Sequence, residues 1–311
     1  VTDALAAILA DAPVAIDGGF ATELEARGHD LSDALWSARL LRDDPAAVEA
    51  VALAYLRAGA RVVITGSYQA SREAFARAGV ESGEADVLIA RSVTLARTAR
   101  AAFTAEQPAA PPVAVAGSLG PYGAMLAGGQ EYTGDYGAIT TAALIAFHAP
   151  RVEALLNAEP DLLAWETIPH REEVAAIVEL QRQAGGPSAW VSFQCRDGGQ
   201  LADGTPIEEA AQIAAAAPGV VAIGVNCTAP EFVGELLGRL RDTALELALV
   251  VYPNDGRVWD AEARTWSMPG HGGFPAQTVR AWVAAGASLV GGCCGVGPDG
   301  VRGIAEALRS T

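Results

Sequence analysis

The sequence predicts an α/β fold, a (β/α)8 TIM barrel, on three observations. Eight apolar runs recur along the chain, helical segments separate them, and 311 residues suit a barrel of ~250 residues with insertions. The runs are continuously apolar rather than alternating, which is how strands covered on both faces read. No linker-like stretch divides them, so residues 1–311 are expected to form a single domain.

In chain order the strands are expected at Val14-Ala15-Ile16, Arg61-Val62-Val63-Ile64, Val113-Ala114-Val115-Ala116 and Leu162-Leu163-Ala164-Trp165. They continue at Trp190-Val191-Ser192-Phe193, residues 220–225, Leu249-Val250-Val251-Tyr252 and Ser288-Leu289-Val290. Between and after them, residues 45–58, 84–103, 140–157, 171–184, 207–217, 231–244, 276–285 and 299–309 have helical period and composition. Three of these segments run into glycine (Gly59, Gly185, Gly286), as expected for a left-handed residue that ends a helix before a parallel strand. A doubly wound open sheet is the alternative. A G-x-G-x-x-G first turn would favour it, but the first turn here reads Asp17-Gly18-Gly19-Phe20-Ala21-Thr22.

Polar residues follow the C-terminal end of each run: Asp17, Thr65 and Ser67, Ser118, Glu166, Cys195, Cys227, Asn254, and Cys293 with Cys294. A barrel brings these positions to one mouth, where active sites are built from the βα loops. Two of those loops, 120–136 and 254–275, are long and hold glycine, aromatics and acids, which marks binding loops or lids as well as surface ornament.

Composition narrows the partners. The formal net charge of −16 opposes nucleic-acid binding, which needs clustered Lys and Arg. Residues 5–10 are apolar but short and preceded by Asp3, a poor signal peptide. No run approaches the ~20 apolar residues of a membrane span. The expectation is a cytoplasmic protein without nucleic-acid or membrane partners, a monomer or small homo-oligomer acting on small molecules. A disulfide framework is not expected.

The cysteines carry the chemistry. Cys227 ends one apolar run, and Cys293 and Cys294 end another after Gly291-Gly292. Three soft sulfur donors suit Zn2+ and leave a fourth tetrahedral position for substrate. The competing reading is that free cysteines are simply small core residues. In a regular strand neighbouring side chains point to opposite faces, so one thiol of the pair would be turned away. A glycine-flanked turn can aim both at one point.

With these residues placed, the chain resembles the zinc-dependent homocysteine S-methyltransferases, in particular the bacterial branch that uses S-methylmethionine. The similarity runs through residues 17–28, Leu35-Trp36-Ser37-Ala38, Ser67-Tyr68-Gln69-Ala70, residues 117–124 and Trp165-Glu166-Thr167. It continues through Asp203-Gly204-Thr205-Pro206, Val225-Asn226-Cys227, Val251-Tyr252-Pro253-Asn254 and Gly291-Gly292-Cys293-Cys294. The resemblance implies that Cys227, Cys293 and Cys294 ligate zinc and form the catalytic centre. It implies substrate-binding roles for Asp17, Gly18, Thr65, Glu166 and Asn226, with the homocysteine ammonium at Asp17 and Glu166 and its carboxylate near Thr65 and the backbone at Gly18. Two departures stand out: Trp165 occupies a position where relatives often have Cys, and the cysteine pair is followed by Gly295-Val296-Gly297-Pro298 without the usual Thr.

The chemistry that follows is methyl transfer. A free thiol of pKa ~8.5 is mostly protonated at neutral pH, and zinc binding of the incoming homocysteine sulfur would displace that proton. S-methyl-L-methionine is the expected donor, S-adenosylmethionine a slower one, and a betaine- or selenocysteine-type reaction the variant within the family. Outside it stands a non-catalytic zinc or redox-sensing barrel. A Schiff-base lyase is excluded because the chain has no lysine. Cys195 and the four histidines, His29, His148, His170 and His271, are surplus to the metal set. His271, in a loop, could approach the site. Tyr68 could line the pocket or pack, and Tyr68, Tyr122 and Trp36 could supply an aromatic cage.

Overall fold

The computed structural model describes residues 3–31, 35–243, 246–256, 258–260, 265–267 and 270–310. Eight parallel strands carry the fold: β1 (Val14–Ala15), β2 (Val62–Ile64), β3 (Ala114–Leu119), β4 (Leu162–Ile168), β5 (Ala189–Phe193), β6 (Val220–Asn226), β7 (Ala248–Tyr252) and, after a hairpin of β8 (Val258–Asp260) with β9 (Thr265–Ser267), β10 (Ala287–Val290). Their order is β1-β10-β7-β6-β5-β4-β3-β2. A parallel bridge from Ile16 to Val62 joins the two ends, with Arg61 N–H donating to Ala15 O at 2.8 Å and Asp17 N–H to Val62 O at 3.1 Å. The sheet is thus a (β/α)8 barrel, as expected.

Residues alternate between its two layers. Ala114, Ala116, Leu162, Ala164, Ala222, Val250 and Tyr252 fill the barrel interior, while Val115, Leu163, Trp165, Ile223, Val225 and Val251 pack outward under the helices. Both faces are therefore apolar, which explains the continuous runs. The helix Asp3–Ala10 was not expected. Leu5 and Ile8 are fully buried against the interior layer, each stabilising the fold by roughly 1.5–3 kcal/mol.

The surrounding helices follow the sequence signals. Asp44 accepts from Ala47 N–H at 3.1 Å to cap Pro45–Ala58, and Gly59 ends that helix at φ 108°. Gly185 and Gly286 also have positive φ. Two expectations change. β3 and β4 run three residues further than predicted, so Ser118 and Glu166 lie within strands rather than after them. Loop 120–136 is folded into two short helices, Tyr122–Leu126 and Gln130–Thr133. In loop 254–275, residues 257, 261–264 and 268–269 lie outside the described residues, as do residue 244 of the sixth expected helix and the Trp36 side chain.

Packing around β6 is tight at Gly224. A Cβ there would run into the backbone oxygen of Val250 on β7, and backbone cannot yield as a side-chain tip can. Gly224→Ala should cost about 1–3 kcal/mol, seen as a lower urea midpoint with unchanged slope. Wild-type stability would show that the strands part freely here.

Candidate active site and metal centre

β6 leads directly into Cys227, which takes φ 48°, a costly conformation for a side-chain-bearing residue that turns the thiol into the mouth. β10 leads through Gly291-Gly292 into Cys293-Cys294. Gly291 lies against Asp17 O, where a Cβ would come within 2.5 Å, so only glycine lets the two strand ends meet. Gly292 N–H donates to Asp17 O at 3.1 Å, Cys293 N–H to Pro253 O at 2.7 Å and Cys227 N–H to Tyr252 O at 3.2 Å. Backbone bonds at the ends of β1 and β7 thus fix Cys227 and Cys293, and Asp255 N–H donates to Cys294 O at 3.0 Å.

Their ligand sulfurs lie within 4.8 Å of one another. Cys227 and Cys293 are in direct sulfur contact, with Cα atoms 5.6 Å apart, a pairing that was not expected. Burial pushes the Cys294 thiol up to about 12, assisted by the charges of Asp255 and Glu131. A neighbouring thiolate set therefore needs a cation to exist at neutral pH. Three convergent sulfurs match a soft divalent metal, for which tetrahedral Zn–S bonds of about 2.3 Å place sulfurs about 3.8 Å apart. Cys195 is not in this set: it is buried, its thiol pushed up by burial, and its N–H donates to Thr228 Oγ1 at 3.0 Å.

One pocket gathers the cysteines with Asp17, Gly18, Thr65 and Glu166. Asp17 does not cap a helix. Its Oδ2 accepts from Ile64 N–H at 2.6 Å, while Oδ1 is buried without a partner. Among the described residues Glu166 makes no direct ion pair, although the buried Arg151 charge acts on it; Ser118 Oγ donates to its Oε1, and the Tyr252 hydroxyl supports it. Burial raises both carboxyls, Asp17 well above the usual range and Glu166 to about 7. Glu166 adds to the upward push on Asp17. Such a pair demands a cation. Thr65 Oγ1 accepts from Ser118 N–H at 2.9 Å and meets Ser67 Oγ at 2.8 Å.

Asn226 is a correction. Its side chain is fully buried beneath the pocket and does not line it. Its Oδ1 accepts from Thr167 N–H at 2.6 Å and from Ser192 Oγ at 2.8 Å, and its Nδ2 donates to Thr167 Oγ1 at 2.7 Å. Asn226 therefore pins Thr167, which is held at φ 62° just beyond Glu166 where the β4–β5 register shifts. It orients the pocket from below.

Tyr68 lines the pocket, whereas Tyr122 packs edge-on against Tyr136 and Phe147. Trp165 is fully buried and packs edge-on against His148 behind β4. The histidines stay out of the sulfur group: His148 is buried with Glu173, His170 stacks on Tyr136, and His271 N–H reaches Asp255 O at 3.4 Å. Glu131, Tyr132, Thr22 and Phe20 also line the pocket and were not foreseen. The length of loop 120–136 was the available signal for Glu131 and Tyr132.

The sequence profile of the family described as homocysteine S-methyltransferase matches residues 14–308. The chain is 47% identical over 290 residues to a homocysteine S-methyltransferase of Escherichia coli, covering 93% of each. It is 44% identical to homocysteine S-methyltransferase 4 of Zea mays, covering 94% of this chain and 89% of that protein. Among solved structures, the metallated form of the homocysteine methyltransferase MmuM from E. coli superposes with a TM-score of 0.88 at 44% identity, covering 98% of this chain and 99% of that one.

The raised carboxyl of Glu166 has a pH consequence. The folded chain holds its proton up to about pH 7, whereas the unfolded chain releases it near the ordinary value of 4.5. Its burial penalty is therefore absent below about 4.5, grows between about 4.5 and 7, and is full above 7. Glu166→Gln should stabilise the ligand-free fold at pH 8 by roughly 1–3 kcal/mol and leave it nearly unchanged at pH 4.5. Chemical denaturation at both values is the measurement. Equal effects at the two pH values would refute the burial-raised carboxyl.

Proposed function

The chain belongs to the homocysteine S-methyltransferase family, and on that premise we propose that it moves a methyl group from a sulfonium donor to homocysteine at a zinc ion held by Cys227, Cys293 and Cys294. The observation that carries this reading is the meeting, in one pocket, of three sulfurs with two buried carboxyls, one of which has an oxygen without a partner among the described residues. A barrel that merely displayed thiols would have no use for the carboxyls.

Asp17 and Glu166 receive the homocysteine ammonium. Ile64 N–H and Ser118 Oγ already fix one oxygen of each carboxylate, so little orientation is lost on binding. Thr65 and the backbone at Gly18 stand beside them to meet the substrate carboxylate. When bound, zinc acts as a Lewis acid that lowers the thiol pKa of homocysteine and leaves its sulfur nucleophilic at neutral pH. The homocysteine sulfur donates a lone pair to the methyl carbon. The bond from that carbon to the sulfonium breaks, and its electron pair returns to the donor as a neutral thioether. Positive charge is consumed as the methyl moves, and the buried pocket, with Tyr68, Phe20 and Tyr252 on its walls, keeps competing water away.

S-methyl-L-methionine is the proposed donor, with S-adenosylmethionine slower and betaine inactive or nearly so, because a sulfonium leaves more readily as a thioether than an ammonium as an amine. No helix among the described residues is long and apolar enough to cross a membrane. Val87 is the only large hydrophobic side chain exposed among them, which favours an enzyme acting as a monomer. Thiolate chemistry favours the reducing cytoplasm.

The metal assignment is tested by elemental analysis. About one zinc per chain is expected. Cys293→Ala should lose zinc and transfer together, while Cys195→Ala keeps both; full zinc in Cys293→Ala would overturn the centre. For the donor, kcat/KM should fall from S-methyl-L-methionine to S-adenosylmethionine to betaine at fixed homocysteine. Betaine in first place would overturn the donor while leaving the zinc chemistry standing.

A further inference from the structure

The pocket has a third carboxylate that homocysteine does not need. Glu131 lies on the short helix Gln130–Thr133, next to Tyr132. Its Oε2 is buried without a hydrogen-bond partner among the described residues, and the residue lines the pocket that holds the cysteines. Loop 120–136 is held in place to present it. Glu173 accepts from Tyr122 N–H at 2.6 Å and from the Tyr136 hydroxyl at 2.7 Å, and that hydroxyl in turn accepts from Gly123 N–H at 3.0 Å.

The acidic groups divide into two poles. Asp17 and Glu166 act on each other, and both act on Tyr252. Glu131 acts on Cys294, Tyr68 and Tyr132. Tyr68, in the same pocket lining, feels the charges of both Glu131 and Glu166. The Tyr132 hydroxyl bonds to the Cys294 sulfur, and Thr167 bonds to the Tyr68 hydroxyl, so both rings are anchored.

Resting on the proposed methyl transfer, we propose that Glu131, flanked by Tyr68 and Tyr132, anchors a cationic group of the methyl donor. Charge counting supports it. Homocysteine brings one cation, its ammonium, and a sulfonium amino acid brings two. A pocket that holds both substrates must offer the donor an anion of its own beside the Asp17–Glu166 pair, and Glu131 lines that same pocket. Aromatic faces beside that anion suit a sulfonium or ammonium, since each ring presents negative charge to a cation. Glu131 supplies the anion and the two tyrosines the faces.

The test is calorimetric titration of the zinc-loaded protein with the acceptor left out, so that binding is read without turnover. S-methyl-L-methionine should bind Glu131→Gln about tenfold more weakly than the unchanged protein, while homocysteine, titrated separately, binds both alike. A parallel titration with 3-dimethylsulfoniopropanoate, which has the sulfonium but no ammonium, separates the two cations. Weakening of S-methyl-L-methionine alone identifies the ammonium as the group held, and weakening of both donors identifies the sulfonium. Glu131→Asp, which keeps the charge, should regain most of the affinity. Unchanged donor affinity in Glu131→Gln overturns the proposal, as does equal weakening of homocysteine, an equal deficit in Glu131→Asp, or no donor binding to the unchanged protein. Donor binding that depends on Glu131 without any turnover would unseat the methyltransferase reading and leave this anchor standing.

Discussion

Closure of the barrel between β1 and β2 is the constraint on which the mouth depends. The end of β1 touches both neighbours at once: Asp17 O accepts from Gly292 N–H at 3.1 Å, and Asp17 Oδ2 accepts from Ile64 N–H at 2.6 Å. One residue therefore ties the cysteine pair to the carboxyl pole. Were the sheet open, β1 and β2 would be its two edges, and the partners of Asp17 would lie on opposite sides of the molecule.

Within that ring the site is assembled by groups that are costly in isolation. Asp17 and Glu166 are carboxyls whose burial raises their pKa, only partly offset at Glu166 by the Arg151 charge, and Cys227 and Thr167 sit at positive φ. Each is over-determined by its surroundings. Asn226 grips both the N–H and the hydroxyl of Thr167, and Ser118 and Tyr252 hold Glu166. Folding thus leaves the pocket with unmet demands for positive charge, and ligands that carry it satisfy them.

Behind the pocket lies a second buried polar cluster that touches no cysteine but fixes two loops. Arg151, with its pKa pulled down by burial to about 10 and still charged at neutral pH, donates to Ala70 O at 2.9 Å, Tyr68 O at 2.8 Å and Gly120 O at 2.7 Å. Its remaining bond, to His148 Nδ1 at 3.1 Å, leaves the histidine proton on Nε2, which donates to Glu173 at 2.7 Å. Glu173 then holds Tyr122 and Tyr136. A single chain of bonds therefore sets Tyr68 and the loop of Glu131 relative to one another, which two independently mobile loops could not maintain.

The strands and most helices were determined locally. A run such as Val220–Asn226 must be covered on both faces wherever it lies, and Asp44-Pro45 starts a helix through its own capping geometry. Adjacency also marked Cys293 and Cys294, because two glycines before them allow a turn that a regular strand forbids. What required the tertiary structure was contact between residues distant in sequence. Whether Asn226 faces substrate or supports Thr167 depends on where β4 shifts register against β5, and strand propensity carries no register. Glu131 reads in the sequence as one more acid on a polar loop; only the anchorage of that loop on Glu173 brings it into the lining of the pocket that holds the sulfurs. Burial follows from the neighbours that the fold supplies, so Leu5 and Ile8, read alone as a short apolar stretch, became part of the barrel's interior core.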